Sequence, residues 1–127
     1  MQNAYLEHLN VTVADPEATA AMLIDIFGWR ERWRGPAKDG GASIHVGAED
    51  TYVAIYTNPK MTAASETSYH VNGGLNHIGL VVEDLDAIER KVRAAGFEPH
   101  SHADYEPGRR FYFDDANGVE FEVASYA

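Results

Sequence analysis

The chain has 127 residues, enough for one domain with a single core and too few for two independent ones. A formal charge of −10 leaves no basic footprint for nucleic acid. Cysteine is absent, which excludes disulfides, thiolate metal sites and a thiol nucleophile, so any metal must be held by His, Asp or Glu.

The N-terminal MQNAYLEHLN carries no basic head or apolar signal core, and no apolar run approaches membrane-spanning length. A cytoplasmic protein with no membrane partner is expected. An alternating strand starts at His8 and runs into Asp15, which is placed to cap a helix with Pro16 in its first position. That helix is expected to run to about Phe27, with Gly28 as its left-handed C-cap. Three strand candidates follow, at about Trp29–Trp33, Ala42–Val46 and Tyr52–Thr57. The polar stretch 58–73 has no period and reads as a linker.

The pattern then starts again. HIGLVVEDLDA from His77 overlays HLNVTVADPEA from His8, matching His with His, Val82 with Val13, Asp84 with Asp15 and Ala87 with Ala18. Asp84 caps a second helix, in which Leu85, Ile88, Val92 and Ala95 recur at helical spacing before Gly96. The remaining strands are expected at about Phe97–His102, Arg109–Phe113 and Val119–Ser125, with Asn117-Gly118 turning the last hairpin. Each half is βαβββ. The expected fold is α+β: two tandem modules forming a curved mixed-sheet cup, helices on its outer face. They make one domain over 1–127, with module one at about 4–57, a linker at 58–73 and module two at about 74–127.

Strand side chains alternate between faces. With Leu9, Val11 and Val13 on the helix, His8 points to the other side. Ile78, Leu80 and Val82 leave His77 there too. Phe121 and Val123 leave Glu120 and Glu122. Two histidines and one carboxylate on one surface match the facial triad of non-haem iron sites, which keeps positions open for substrate. Either glutamate satisfies that pattern.

LEHLNVTVAD, IFGW, LNHIGLVVEDLD, AAGF and FYFDDANGVEFEV together resemble the vicinal-oxygen-chelate superfamily, over Tyr5 to Tyr126. This group includes glyoxalase I, fosfomycin-resistance proteins, methylmalonyl-CoA epimerase, extradiol dioxygenases and bleomycin-resistance proteins. The resemblance implies a divalent metal on His8, His77 and Glu122, with Fe2+ preferred and Zn2+, Mn2+, Ni2+ or Co2+ also suited to such ligands. A fourth ligand position falls in YVAIYT, where only Ala54 or Tyr56 is on offer. That departure counts against glyoxalase-type proton shuttling. A lysine that fosfomycin-resistance proteins carry before the FYF strand is matched here by His102.

Three ligands suit a ring-cleaving dioxygenase, whose pocket tyrosine is matched in spacing by Tyr112. The catalytic histidine of those enzymes falls near Thr51, so His45 and His102 are the nearby candidates for proton transfer. Trp33, Tyr56 and Arg110 are candidates for substrate contact. Trp29 and Trp33 are expected on one face, Arg109 and Arg110 on opposite faces. The expected function is metal chelation of a small oxygenated substrate, with dioxygenase-like chemistry preferred. The alternatives are a glyoxalase-like lyase or isomerase, or a metal-free binder of small molecules. A homodimer is implied by the resemblance.

Overall fold

The computed structural model describes residues 3–105 and 108–127. They form two compact units, 1–62 and 63–127. The first contains β1 (His8–Thr12), α1 (Pro16–Phe27), β2 (Arg30–Pro36), β3 (Ala42–Gly47) and β4 (Tyr52–Thr57). The second contains β5 (Ile78–Val81), α2 (Leu85–Ala94), β6 (His100–Tyr105), β7 (Gly108–Asp114) and β8 (Glu120–Ser125). Each is a four-stranded mixed sheet with one helix. The strand orders, β1-β4-β3-β2 and β5-β8-β7-β6, are the same order repeated. The fold is thus α+β, two tandem βαβββ modules. No helix among the described residues is long and apolar enough to cross a membrane.

The caps act as their chemistry requires. Asp15 Oδ1 accepts from the Ala18 N–H at 3.1 Å, and Asp84 Oδ1 from the Ala87 N–H at 3.0 Å. Gly28, at φ 71°, ends α1 by donating its N–H to the Ile24 carbonyl. In the first unit Val13, Leu23, Ile26, Val46, Val53 and Ile55 are buried between α1 and its sheet. In the second, Val92, Phe111, Phe113, Phe121 and Val123 are buried where α2 packs on β7 and β8, and the rings of Phe113 and Phe121 stack at 5.1 Å.

Two strands differ from expectation, for local reasons. β6 starts at His100 and not at Phe97. Phe97 instead closes α2, its N–H on the Val92 carbonyl and its ring against Phe113. A bulge then separates His100 from Ala103, with Ser101 at φ 56°. β2 runs from Arg30 to Pro36, with a register shift between Glu31 and Trp33. This overturns the expected shared face of Trp29 and Trp33. Trp29 precedes the strand and packs on Phe27, whereas Trp33 meets His45. Gly35 lets the Trp33 indole lie across the strand, since a Cβ there would come within 2.7 Å of the ring.

The β7–β8 connection is built on Asp115. Its nearly buried carboxylate accepts from the Asn117 and Val119 N–H groups at 2.8 and 2.9 Å, while Gly118 takes φ 79°. Replacing Asp115 by Ala leaves these donors unpaired. The expected loss is about 1–3 kcal/mol in urea unfolding, with the native fold retained.

Candidate metal centre

Strand pairing lines up equivalent rows in the two units. In the second, Gly79 pairs with Glu122, Glu122 with Tyr112 and Tyr112 with His100. In the first, Asn10 pairs with Ala54, Ala54 with His45 and His45 with Trp33. Asn10 and Gly79 each lie two residues after the strand histidine of their unit. Ala54 therefore holds the position that Glu122 holds in the second unit, and Tyr56 lies two residues further on.

In the second unit the polar residues converge on His77. Its Nε2 lies 3.0 Å from Glu122 Oε1, and its Nδ1 lies 3.5 Å from Glu120 Oε1 and 3.4 Å from the Tyr69 hydroxyl. Arg110 Nη1 donates to the other Glu122 oxygen at 2.7 Å. Arg109 turns the opposite way, onto Asp86 of α2, so the two arginines occupy opposite faces as strand alternation demands. The ring of Tyr112 meets His77 edge-on at 5.7 Å and stacks with His100 at 6.2 Å. Burial, then the charge of Glu122, pushes the Tyr112 phenol above its ordinary pKa. The Tyr69 hydroxyl donates to Glu120, and that hydrogen bond pushes it up to about 12.

In the first unit His8 Nδ1 lies 2.8 Å from Glu7 Oε1. The His8 ring stacks on Tyr52 at 4.8 Å, and Tyr52 stacks in turn on His45 at 4.5 Å. The Arg32 guanidinium covers the Tyr52 ring at 4.8 Å. The β2 bulge permits this by turning Arg32 and Trp33 to the same side. Burial, then the charges of His8 and Arg32, lowers the His45 pKa. The Tyr56 hydroxyl is committed to the Lys38 carbonyl at 2.6 Å and accepts from Asn58 at 2.8 Å.

His102 is not brought to the His77 face. Its Nε2 lies 3.0 Å from Glu89 of α2 and its ring stacks on Phe111, so it sits on the helix side. The β6 bulge separates it from His100. Sequence reasoning left His100 as a surface or pocket-rim residue and gave no role to Glu7, Tyr52, Tyr69 or Asp114. Only the HSH spacing hinted at His100. Donor atoms of His100, Asp114 and Glu120 lie within 4.8 Å of one another and form a second ligand-type cluster.

The second unit's residues fit a divalent metal on two counts. Ligand atoms about 2.1 Å from one ion, at roughly right angles, lie about 3 Å apart. That is the His77 Nε2 to Glu122 Oε1 separation. A ligating histidine also presents one ring nitrogen to a carboxylate while the other faces the metal. In His77 the Nδ1 faces Glu120 and the Nε2 faces Glu122.

Solved structures share this fold. A glyoxylase/bleomycin resistance protein/dioxygenase domain from Frankia sp. EAN1pec superposes with TM-score 0.83 at 20% identity, covering 98% of this chain and 93% of that one. The fosfomycin resistance protein FosX from Listeria monocytogenes, complexed with Mn(II) and sulfate, gives 0.74 at 22% identity, covering 98% and 93%. FosX from Mesorhizobium loti gives 0.73 at 24% identity, covering 97% and 92%. Among curated proteins, none matches the chain. The family profile of the Glyoxalase/Bleomycin resistance protein/Dioxygenase superfamily matches residues 5–123, and the chain belongs to that superfamily.

Proposed function

We propose that the protein is a metal-dependent enzyme that binds a small substrate through two adjacent oxygens. The observation that carries this reading is the His77 Nε2–Glu122 Oε1 pair at 3.0 Å, with Glu120 behind the other ring nitrogen. The expected third donor, His8, holds the equivalent position of the repeat, with its Nδ1 on Glu7. The Listeria FosX structure with Mn(II) supports a divalent ion on this fold. Fe2+ remains the preferred ion for this ligand set. When bound, such an ion supplies Lewis acidity and open positions for substrate oxygens.

The chain's own residues have separable roles. Glu122 and His77 bind the ion, and Arg110 fixes the Glu122 carboxylate. Glu120 sets the ring orientation of His77. Tyr112 forms a wall beside the carboxylate. His45, whose imidazole burial biases towards the neutral form, is the candidate acceptor for a substrate proton. With Ala54 in place of a fourth ligand, ring cleavage with dioxygen is the preferred chemistry, ahead of glyoxalase-type isomerisation, which needs a second acid–base group.

Untagged protein reconstituted with Fe(II), Mn(II) or Zn(II) is expected to hold about one ion per chain by mass spectrometry. His77→Ala and Glu122→Ala should abolish retention. Glu120→Gln should weaken affinity about 10–100-fold. No uptake of any of these ions would refute the reading. A second ion lost in Asp114→Ala would assign it to the His100 cluster.

The metal-free protein also has a pH signature. The folded chain binds a proton at His45 less tightly than the unfolded chain does. Stability from this group is therefore present above the ordinary imidazole pKa of 6.5 and declines as pH falls through that value towards the folded one. NMR titration should give His45 a midpoint below 6.5. A midpoint at or above that value would remove it as the neutral acceptor.

A further inference from the structure

Asp114 of β7 and Glu120 of β8 stand directly opposite each other across the last hairpin. Like charges in that position destabilise a sheet unless a cation offsets them. Among the described residues no Lys or Arg forms an ion pair with either carboxylate. Arg109 is held by Asp86 and Arg110 by Glu122. The group that faces the two acids is an imidazole. His100 pairs with Tyr112, two residues before Asp114, and its ring stacks on the Tyr112 ring, so it lies on the same face. Donor atoms of His100, Asp114 and Glu120, on three adjacent strands, lie within 4.8 Å of one another.

The imidazole is oriented towards the acids. Its Nδ1 lies 2.8 Å from the hydroxyl of Ser101, the residue at φ 56° in the β6 bulge. Nε2 is thereby left to the carboxylates. It is shielded from solvent, has no hydrogen-bond partner among the described residues, and lies 3.5 Å from Asp114 Oδ2. Two ligands about 2.1 Å from one ion, at a tetrahedral angle, stand about 3.4 Å apart, so this nitrogen and oxygen already hold a chelating separation. Asp114 is half-exposed and gives an ion its way in. Glu120 turns Oε1 to Tyr69 and His77, which leaves Oε2 for the cluster. The arrangement belongs to the second unit and not to the repeat. By the same strand pairings the equivalent positions in the first unit are Trp33, Gly47 and Tyr52, none of them His, Asp or Glu.

We infer that His100, Asp114 and Glu120 form a second divalent-cation site, separate from the His77–Glu122 pair and joined to it through Glu120. One imidazole and two carboxylates suit Zn2+ first and Mn2+ after it, whereas Mg2+ and Ca2+ favour oxygen ligands throughout. Two carboxylates also balance the charge of such an ion. Bound there, it ties β6, whose ladder the bulge interrupts, to β7 and β8. With Asp114 half-exposed and Glu120 shared, the site holds its ion more loosely than the His77 centre and is read at equilibrium, not after desalting. The inference needs no ion at His77 and no reaction.

The test is equilibrium dialysis of the untagged full chain, stripped with a chelator, against ZnCl2, with NMR of the imidazole nitrogens. The wild type is expected to bind two Zn2+ per chain, and His77→Ala and Asp114→Asn one each. Glu122→Gln provides a second background without the His77 centre. In these backgrounds the remaining Zn2+ should shift the His100 Nε2 resonance and withstand an equal concentration of Mg2+. Adding His100→Gln or Asp114→Asn should weaken it about 100-fold, and adding Ser101→Ala about tenfold. No Zn2+ bound in either background overturns the inference, as does displacement by equal Mg2+. Binding that survives both His100→Gln and Asp114→Asn also overturns it and marks an adventitious ion only. One ion in the wild type, kept in His77→Ala and lost in Asp114→Asn, leaves this site standing and removes the metal centre proposed above. One ion lost in His77→Ala and kept in Asp114→Asn does the reverse.

Discussion

The parallel pairing of the first and last strands of each unit is the constraint from which the rest follows. Parallel neighbours cannot be joined by a tight turn, so each unit must spend a helix and two further strands before its last strand returns beside its first. That return brings Glu122 next to Gly79, two residues after His77, on a face whose other side is occupied by α2. The same return in the first unit brings Ala54 beside Asn10. Side chains far apart in sequence become neighbours because the ladder is parallel and its register is held by the apolar residues beneath. A slip of one residue would send Glu122 into the phenylalanine core and Phe121 into the open.

Electrostatics then refine what topology has gathered. His77 lies between two carboxylates, one at each ring nitrogen. Leaving both acids without a cation would be unfavourable on a partly buried strand. Arg110 offsets Glu122 directly, and Tyr69 donates to Glu120. Each glutamate thus keeps a partner of its own while facing the imidazole, and the ring is aligned from both sides.

Much of this was legible in the sequence, and the exceptions have a common cause. The caps at Asp15 and Asp84, the helices they open and the outward parity of His8, His77 and Glu122 follow from local chemistry and a period of two. Parity arguments fail where a strand departs from that period. Both second-position strands, β2 and β6, carry bulges, and both misplaced a residue. The bulge in β6 sends His102 to Glu89 and leaves His100 beside Tyr112. The bulge in β2 brings Arg32 over Tyr52, an arrangement that no alternation pattern contains. Tyr69 was hidden for a different reason: it belongs to a short 3-10 turn in the apparent linker, where no periodicity exists to assign a direction.

The alanine at position 54 has one more implication. A gene duplication starts with two identical copies of every function, and symmetry then obliges each change to be judged twice. Here the symmetry is broken along the whole row, most sharply where one unit holds the Glu122 carboxylate and its counterpart only the methyl group of Ala54. Reactivity and recognition can then drift separately. Residues around Ala54 can change without disturbing the Glu122 carboxylate, which lies on another segment of the chain. A scaffold divided in this way can acquire new substrates by altering its first half alone, and this is one physical route by which a single duplicated architecture comes to host many chemistries.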